Sequence, residues 1–262
     1  MKKQSLLWKI THKKAKGPSY LLGTMHVKDS RAFGDLEGIQ ELILSCEAFA
    51  TEFDLETADP EQAAAAFSLP DGVTFHDIMS PKKMARLERF LLKRFRIPLS
   101  QFINNQPIVL TNFLTTLALQ QDQQQSLDET LYAFAKAQNR AILGLETFEE
   151  QLAVMKKMSV ESQVKQLISL TKNFNKYGKS LNKLAEMYSR GDIQQLYKSS
   201  KKSLGKMKKP MIYDRNIIMA DRFEAIVAEQ TLFCGIGAGH LAGKKGVLKL
   251  LKDKGFKVKP VR

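Results

Sequence analysis

Four short apolar runs in this chain lead into residues that bind metals or move protons, and they limit the fold more than any other feature. Residues 21–23 lead into His26, 49–51 into Glu52 and Asp54, 142–145 into Glu146, and 233–236 into His240. Such runs are too short for stable helices and read as strands buried on both faces. In open α/β sheets, ligands bind at the carboxyl ends of the strands. If the four strands are neighbours running the same way, two imidazoles and two or three carboxylates share one edge.

The remaining pattern supplies helices to cover such a sheet. Residues 5–11 and 19–23 read as strands joined across a Gly17-Pro18 turn, a hairpin. Leu36, Ile39, Ile43 and Leu44 have helical spacing, and residues 48–54 form a short buried strand. Residues 58–105 are helical with breaks, at Pro70-Asp71-Gly72 and before Pro81. Pro107 opens an apolar helix to about residue 120, and residues 121–125 form a polar loop. Ser126-Leu127-Asp128-Glu129 and Thr147-Phe148-Glu149-Glu150 are capping boxes. Helices follow at 192–200 and 212–229, a strand at 231–236, a helix at 246–251 and a last strand at 256–261. The order predicts an α/β fold, a mixed central sheet flanked by helices with a large helical insertion. The length suits a single domain over residues 1–262, with a mostly helical, Lys-rich region at about 151–229.

Several function classes are disfavoured. The two cysteines, Cys46 and Cys234, cannot build a disulfide framework and read as core residues in a reducing compartment. The first apolar run is interrupted by Lys9 and His12 before it reaches leader length, and residues 108–119 are too short to span a bilayer. No transmembrane segment is therefore expected, and the cytoplasm is the expected location. The net charge is +14. Residues 151–210 hold fourteen Lys and Arg against three acids, thirteen of them Lys. Base readout and bidentate phosphate recognition favour Arg, so a solvated helical face is expected there and nucleic acid is an unlikely partner. There is no His-Glu-x-x-His, no Cys-x-x-Cys pair, no phosphate-binding loop and no Gly-x-Ser-x-Gly elbow. The glycines at 235, 237 and 239 follow a strand but lack the downstream unit that a dinucleotide site needs.

What remains is Gly23-Thr24-Met25-His26 and Gly237-Ala238-Gly239-His240, with the acids at neighbouring strand ends. Imidazole and carboxylate together suit zinc, manganese, cobalt or iron. A plainer reading also stands. A histidine after a strand commonly caps or faces solvent, and Glu52 and Glu146 also fit as helix-start acids. Arg215 sits on the helix before the last-but-one strand. It suits a substrate carboxylate or an oxyanion, or else a structural pairing with Asp214 or Glu146.

The ordered set of motifs resembles the TraB/GumN family, which includes the Tiki proteases and the pheromone-shutdown protein PrgY. The matching stretches are Leu-Trp-Lys-Ile, Ser-Tyr-Leu-Leu-Gly-Thr-Met-His-Val, Thr-Glu-Phe-Asp, Leu-Pro-Asp-Gly-Val-Thr and Leu-Gly-Leu-Glu-Thr-Phe-Glu-Glu-Gln. Arg215-Asn216 and Gly-Ala-Gly-His-Leu-Ala-Gly complete the series. The resemblance implies a fold related to the erythromycin-esterase and ChaN-like proteins. It implies a divalent metal, manganese, cobalt or zinc, held by His26, Glu52 and His240. Glu146 and Arg215 match further family positions and are assigned acid–base and oxyanion or substrate roles. The expected activity is metal-dependent hydrolysis of a peptide or similar amide. The alternatives are a non-catalytic binding protein using the same cleft for a small ligand or peptide, and a basic adaptor for nucleic acid or anionic lipid. Many relatives are exported or membrane-anchored, and this chain shows neither signal.

Overall fold

The most apolar strands occupy the middle of the sheet. In the computed structural model, which describes residues 5–261, six strands pair: β1 (Leu7–Thr11), β2 (Ser19–Thr24), β3 (Ala48–Thr51), β4 (Ala141–Gly144), β5 (Leu232–Gly237) and β6 (Lys257–Pro260). Their order is β4-β3-β5-β2-β1-β6. β2, β3, β4 and β5 are parallel, while β1 is antiparallel to both β2 and β6. The sheet is therefore mixed, as expected. β5 is almost entirely buried, as a central parallel strand must be. The edge strand β6 alternates, with Lys257 and Lys259 exposed. Charged residues on an edge strand oppose pairing with other chains. Residues 1–4, the start of the stretch read for a leader, and residue 262 lie outside the described residues.

Twelve α-helices accompany the sheet among the described residues. In chain order they are α1 (Leu36–Leu44), α2 (Pro60–Phe67), α3 (Phe75–Ile78), α4 (Pro81–Phe95), α5 (Pro107–Leu117) and α6 (Leu127–Ala137). Then come α7 (Phe148–Met155), α8 (Val160–Lys172), α9 (Phe174–Ser189), α10 (Ile193–Leu204), α11 (Arg215–Glu229) and α12 (Val247–Asp253). Local chemistry explains several boundaries. At α6, Ser126 Oγ accepts the Glu129 amide at 3.3 Å while the Glu129 carboxylate accepts the Ser126 amide at 2.7 Å. Thr147 and Glu150 exchange the same pair of bonds at α7. Pro81 and Pro107 stand in the first turns of α4 and α5, where a missing amide costs nothing.

The chain divides into two compact units, Ala58–Gln120 with Leu152–Asn182, and the remainder. The larger unit holds the whole sheet. Its core lies on both sheet faces. Leu21, Ala50, Cys234 and Ile236 pack with Met219, Phe223 and Leu251 on one. Phe49 and Phe233 stack at 6.0 Å among Ile43, Leu131 and Tyr188 on the other. Both cysteines are buried and unbridged, and burial pushes the Cys46 thiol up to about 11. The smaller unit is helical, around Phe75, Leu87, Leu91, Leu110, Leu114 and Leu167. No helix among the described residues is long and apolar enough to cross a membrane.

Candidate functional site

The parallel register brings four strand ends together. Thr24 pairs with Gly237 across β2 and β5, and Thr51 pairs with Gly144 across β3 and β4. The second ladder continues past the strands: the Leu145 amide donates to Thr51 at 3.0 Å and the Glu146 amide to Glu52 at 2.7 Å. Glu52 and Glu146 are thereby fixed beside one another. Two neighbouring carboxylates largely shielded from water need a cation.

Arg215 supplies it. A π-helical stretch, Lys209–Asp214, leads into α11 and ends at this residue. Arg215 Nε donates to Glu146 Oε1 at 2.9 Å, and Nη2 donates to Glu146 Oε2 and to Glu52 Oε2, both at 2.6 Å. The guanidinium fork is rigid and matches carboxylates in this way. Burial would raise the Glu52 pKa, but the charges of His240, Arg215 and His26 outweigh it and bring it down to about 2. Burial lifts Glu146 above its ordinary value, and Arg215 offsets only part of that. The Glu146 side chain has no solvent exposure at all.

Asn216, the next residue on α11, is fully buried and sets the tautomer of His240. Its Nδ2 donates to the backbone carbonyls of Lys245 at 2.6 Å and His240 at 3.4 Å. Its Oδ1 lies 2.6 Å from His240 Nδ1. An amide oxygen only accepts, so Nδ1 must carry the proton and Nε2 keeps its lone pair. Burial, opposed by Glu52 and helped by Arg215 and His26, takes the imidazole down to about 4. His240 is therefore neutral at neutral pH. Its bare Nε2 stands 3.9 Å from Glu52 Oε1.

His26 arrives from the neighbouring strand in a different state. Its side chain is 63% exposed, and Nδ1 lies 2.9 Å from Asp128 Oδ2 on α6. Crowding by neighbouring groups lowers its pKa, but Asp128 and then Glu52 more than reverse this, up to about 9. Its Nε2 points toward Gly237. A Cβ built on Gly237 would lie 3.9 Å from His26 Nε2, 3.6 Å from His240 Cδ2 and 3.1 Å from Glu52 Oε1. Three candidate site side chains thus crowd the face where Gly237 has no side chain. The Gly237 amide adds a bond to Glu52 Oε1 at 2.8 Å. At Gly23 a Cβ would press into Leu241 and the Ala238 backbone, so this glycine lets the two Gly-x-x-His turns pack together.

The structure therefore brings His26, Glu52 and His240 to one corner and joins Arg215 and Glu146 to it through Glu52. Asp54, at the same strand end, is turned away and accepts bonds from Tyr132 and the Glu56 amide. The sequence reading did not single out Asn216 or Asp128 as site residues. Asn216 appeared only as a motif neighbour of Arg215, and Asp128 only inside a capping box that does not use its side chain. Tyr188, donating to the Gly23 carbonyl at 2.8 Å, was also missed. Thr24 Oγ1 is buried at this strand end without a hydrogen-bond partner among the described residues. Among the described residues, no three His, Cys, Asp or Glu side chains form a group that could hold a metal ion as they stand.

A profile of the TraB/PrgY/gumN family matches residues 6–260. The chain belongs to the TraB/PrgY/gumN family. The resemblance read from its motifs is thereby borne out over nearly its whole length. It is also similar to metalloprotease TIKI1 of Danio rerio, at 22% identity over 312 aligned positions covering 97% of this chain. The chain spans 62% of that relative's length. No solved structure matches it.

Proposed function

We propose that this TraB/PrgY/gumN-family chain is a divalent-metal-dependent hydrolase of peptides or similar amides, on a plan related to the erythromycin-esterase and ChaN-like proteins. The observation that carries the reading is the buried His240, whose Nδ1 is held by Asn216 and whose Nε2 lies 3.9 Å from Glu52 Oε1. Orienting a ligand imidazole through its second nitrogen is how proteins prepare metal sites. By residue type, though not yet by spacing, the donor set suits a divalent metal. Two histidines and a carboxylate approach one corner, each Glu52 oxygen keeps a lone pair after its bond to Arg215 or Gly237, and the buried Thr24 hydroxyl at the end of β2 is unsatisfied.

In this reading His26, Glu52 and His240 hold the ion, which is manganese, cobalt or zinc. A bound cation of this kind polarises a carbonyl and lowers the pKa of coordinated water. Arg215 orients Glu52 and is assigned the contact to a developing oxyanion or to substrate. Glu146, fully enclosed, acts through Arg215 as a positioning residue. The relative named as a metalloprotease supports the reaction class.

The full chain, supplied with each metal in turn, is tested on a peptide library read by mass spectrometry. Metal-dependent cleavage lost in His240→Ala and Glu52→Gln is expected. A second reading, a binding protein without turnover, is favoured by one observation: both Glu52 oxygens are already bonded to Arg215 and to the Gly237 amide. Peptide binding without cleavage under every metal would select it.

A further inference from the structure

Lysines border the turn that presents His240. α10 packs against Ala238–His240. Ser200 Oγ lies 2.8 Å from where a Cβ of Gly239 would stand, and Tyr197 fills the space beside Gly243. On the same helix, Lys201 Nζ lies over the Tyr197 ring, 5.9 Å from its centroid. From the other side of the turn, Lys245 Nζ lies over the Tyr213 ring at 5.0 Å. The Lys245 carbonyl accepts the Asn216 bond that helps set His240. The Tyr197 and Tyr213 phenols interact, and burial together with that contact pushes Tyr197 up to about 12. Two ammonium groups are thus docked on two aromatic rings whose phenols interact, beside the turn that carries His240. A ring face orients a cation without neutralising it.

The surrounding charge is mostly of one sign. Residues 198–209 contain six lysines and no acid, and Lys201, Lys202, Lys244 and Lys245 are all exposed. Lys209 is answered by Asp214. The chemistry favours carboxylates over nucleic acid. Lysine is a hydrated point charge without the bidentate fork, and the two tyrosine rings that could stack bases carry lysines instead.

We propose that Lys201 and Lys245, with Lys202 and Lys244 beside them, form a subsite for the acidic side chains of a peptide, next to the corner that holds His240. The substrate class rests on the hydrolase reading, whereas the binding of acidic peptide does not depend on turnover. The subsite steers an acidic segment across the rim, with the field reaching about 8 Å at physiological salt.

Fluorescence anisotropy on the full chain without added metal tests this directly. The probes are a labelled Glu-rich peptide, a Lys-rich peptide of equal length and a single-stranded oligonucleotide of the same net charge as the Glu-rich peptide. The Glu-rich peptide is expected to bind most tightly, and Lys201→Glu/Lys245→Glu to weaken it about tenfold. Lys257→Glu/Lys259→Glu makes the same charge change on the edge strand β6 and is expected to have less than about a twofold effect. Equal weakening by both double variants means that net charge alone is sensed, and overturns the proposal. So does tighter binding of the oligonucleotide, or no preference between the two peptides. Acidic-peptide binding without cleavage under any metal leaves the subsite standing and removes the hydrolase reading. Cleavage indifferent to acidic residues does the reverse.

Discussion

His26 and His240 come from matching Gly-x-x-His turns on adjacent parallel strands, yet they sit in opposite electrostatic states. His240 is enclosed, held neutral and aimed by a buried amide. His26 is open to water and kept charged by a carboxylate. Identical motifs do not fix a protonation state; burial holds His240 neutral, while Asp128 at Nδ1 raises His26. An amide oxygen opposite Nδ1 leaves Nε2 as a lone-pair donor, while a carboxylate stabilises the imidazolium. On the proposed metal reading, His240 offers its Nε2 as it stands, whereas His26 must release a proton before it binds a metal.

The largest change is expected from removing the cation that both turns sense. Arg215→Ala leaves Glu146 and Glu52 enclosed together without their counter-charge and should cost about 3–5 kcal/mol in urea unfolding. A loss under about 1 kcal/mol would mean the carboxylates share a proton instead. Next is Asn216→Ala, which frees His240 Nδ1 and strands buried carbonyls. It should cost about 1–3 kcal/mol and let both tautomers appear in the 15N spectrum of the ring. An unchanged single tautomer would show that Asn216 does not set it. Asp128→Asn has the smallest effect of the three. It should lower the His26 pKa below about 9 in an NMR titration and leave His240 untouched.

The two histidines should also separate in pH. Glu52 and His240 both titrate below their ordinary 4.5 and 6.5. The unfolded chain therefore binds protons first, and their contribution is complete above 6.5. As pH falls it is lost between 6.5 and about 4 for His240, then between 4.5 and about 2 for Glu52. His26 has the opposite sign. Its contribution is complete below 6.5 and is lost as pH rises through about 9, weakly because solvent screens the open ring. Chemical denaturation across pH should therefore show a steep acid limb and a shallow alkaline one, with His26→Ala removing the second and changing the first less.

Elements encoded by local chemistry were readable from the sequence. Helix α1 at 36–44, both capping boxes and the ends of the four parallel strands depend on residues within a few positions of one another. The long basic region was less legible. It divides into α7, α8, α9 and α10, because caps such as Ser159 and Asp192 interrupt the helical pattern. The π-helical turn before Arg215 also shortened the expected 212–229 helix to Arg215–Glu229. Partners across the fold left no local trace. Asp128 sits between the two residues that make its capping box, and its turn toward His26 follows from packing 102 positions away. Arg215 was read with two structural partners, and it takes Glu146 while Asp214 pairs with Lys209. Its second carboxylate, Glu52, became visible only when the β3–β4 ladder set the two acids side by side.

The central claim is that the His26–Glu52–His240 corner holds a divalent cation. Titration of the metal-free chain with cobalt, followed by absorbance and by metal content after desalting, tests it most directly. The account predicts about one ion per chain with nitrogen and oxygen ligands, abolished in His240→Ala and in His26→Ala. No cobalt above background, or binding unchanged in both variants, would contradict it.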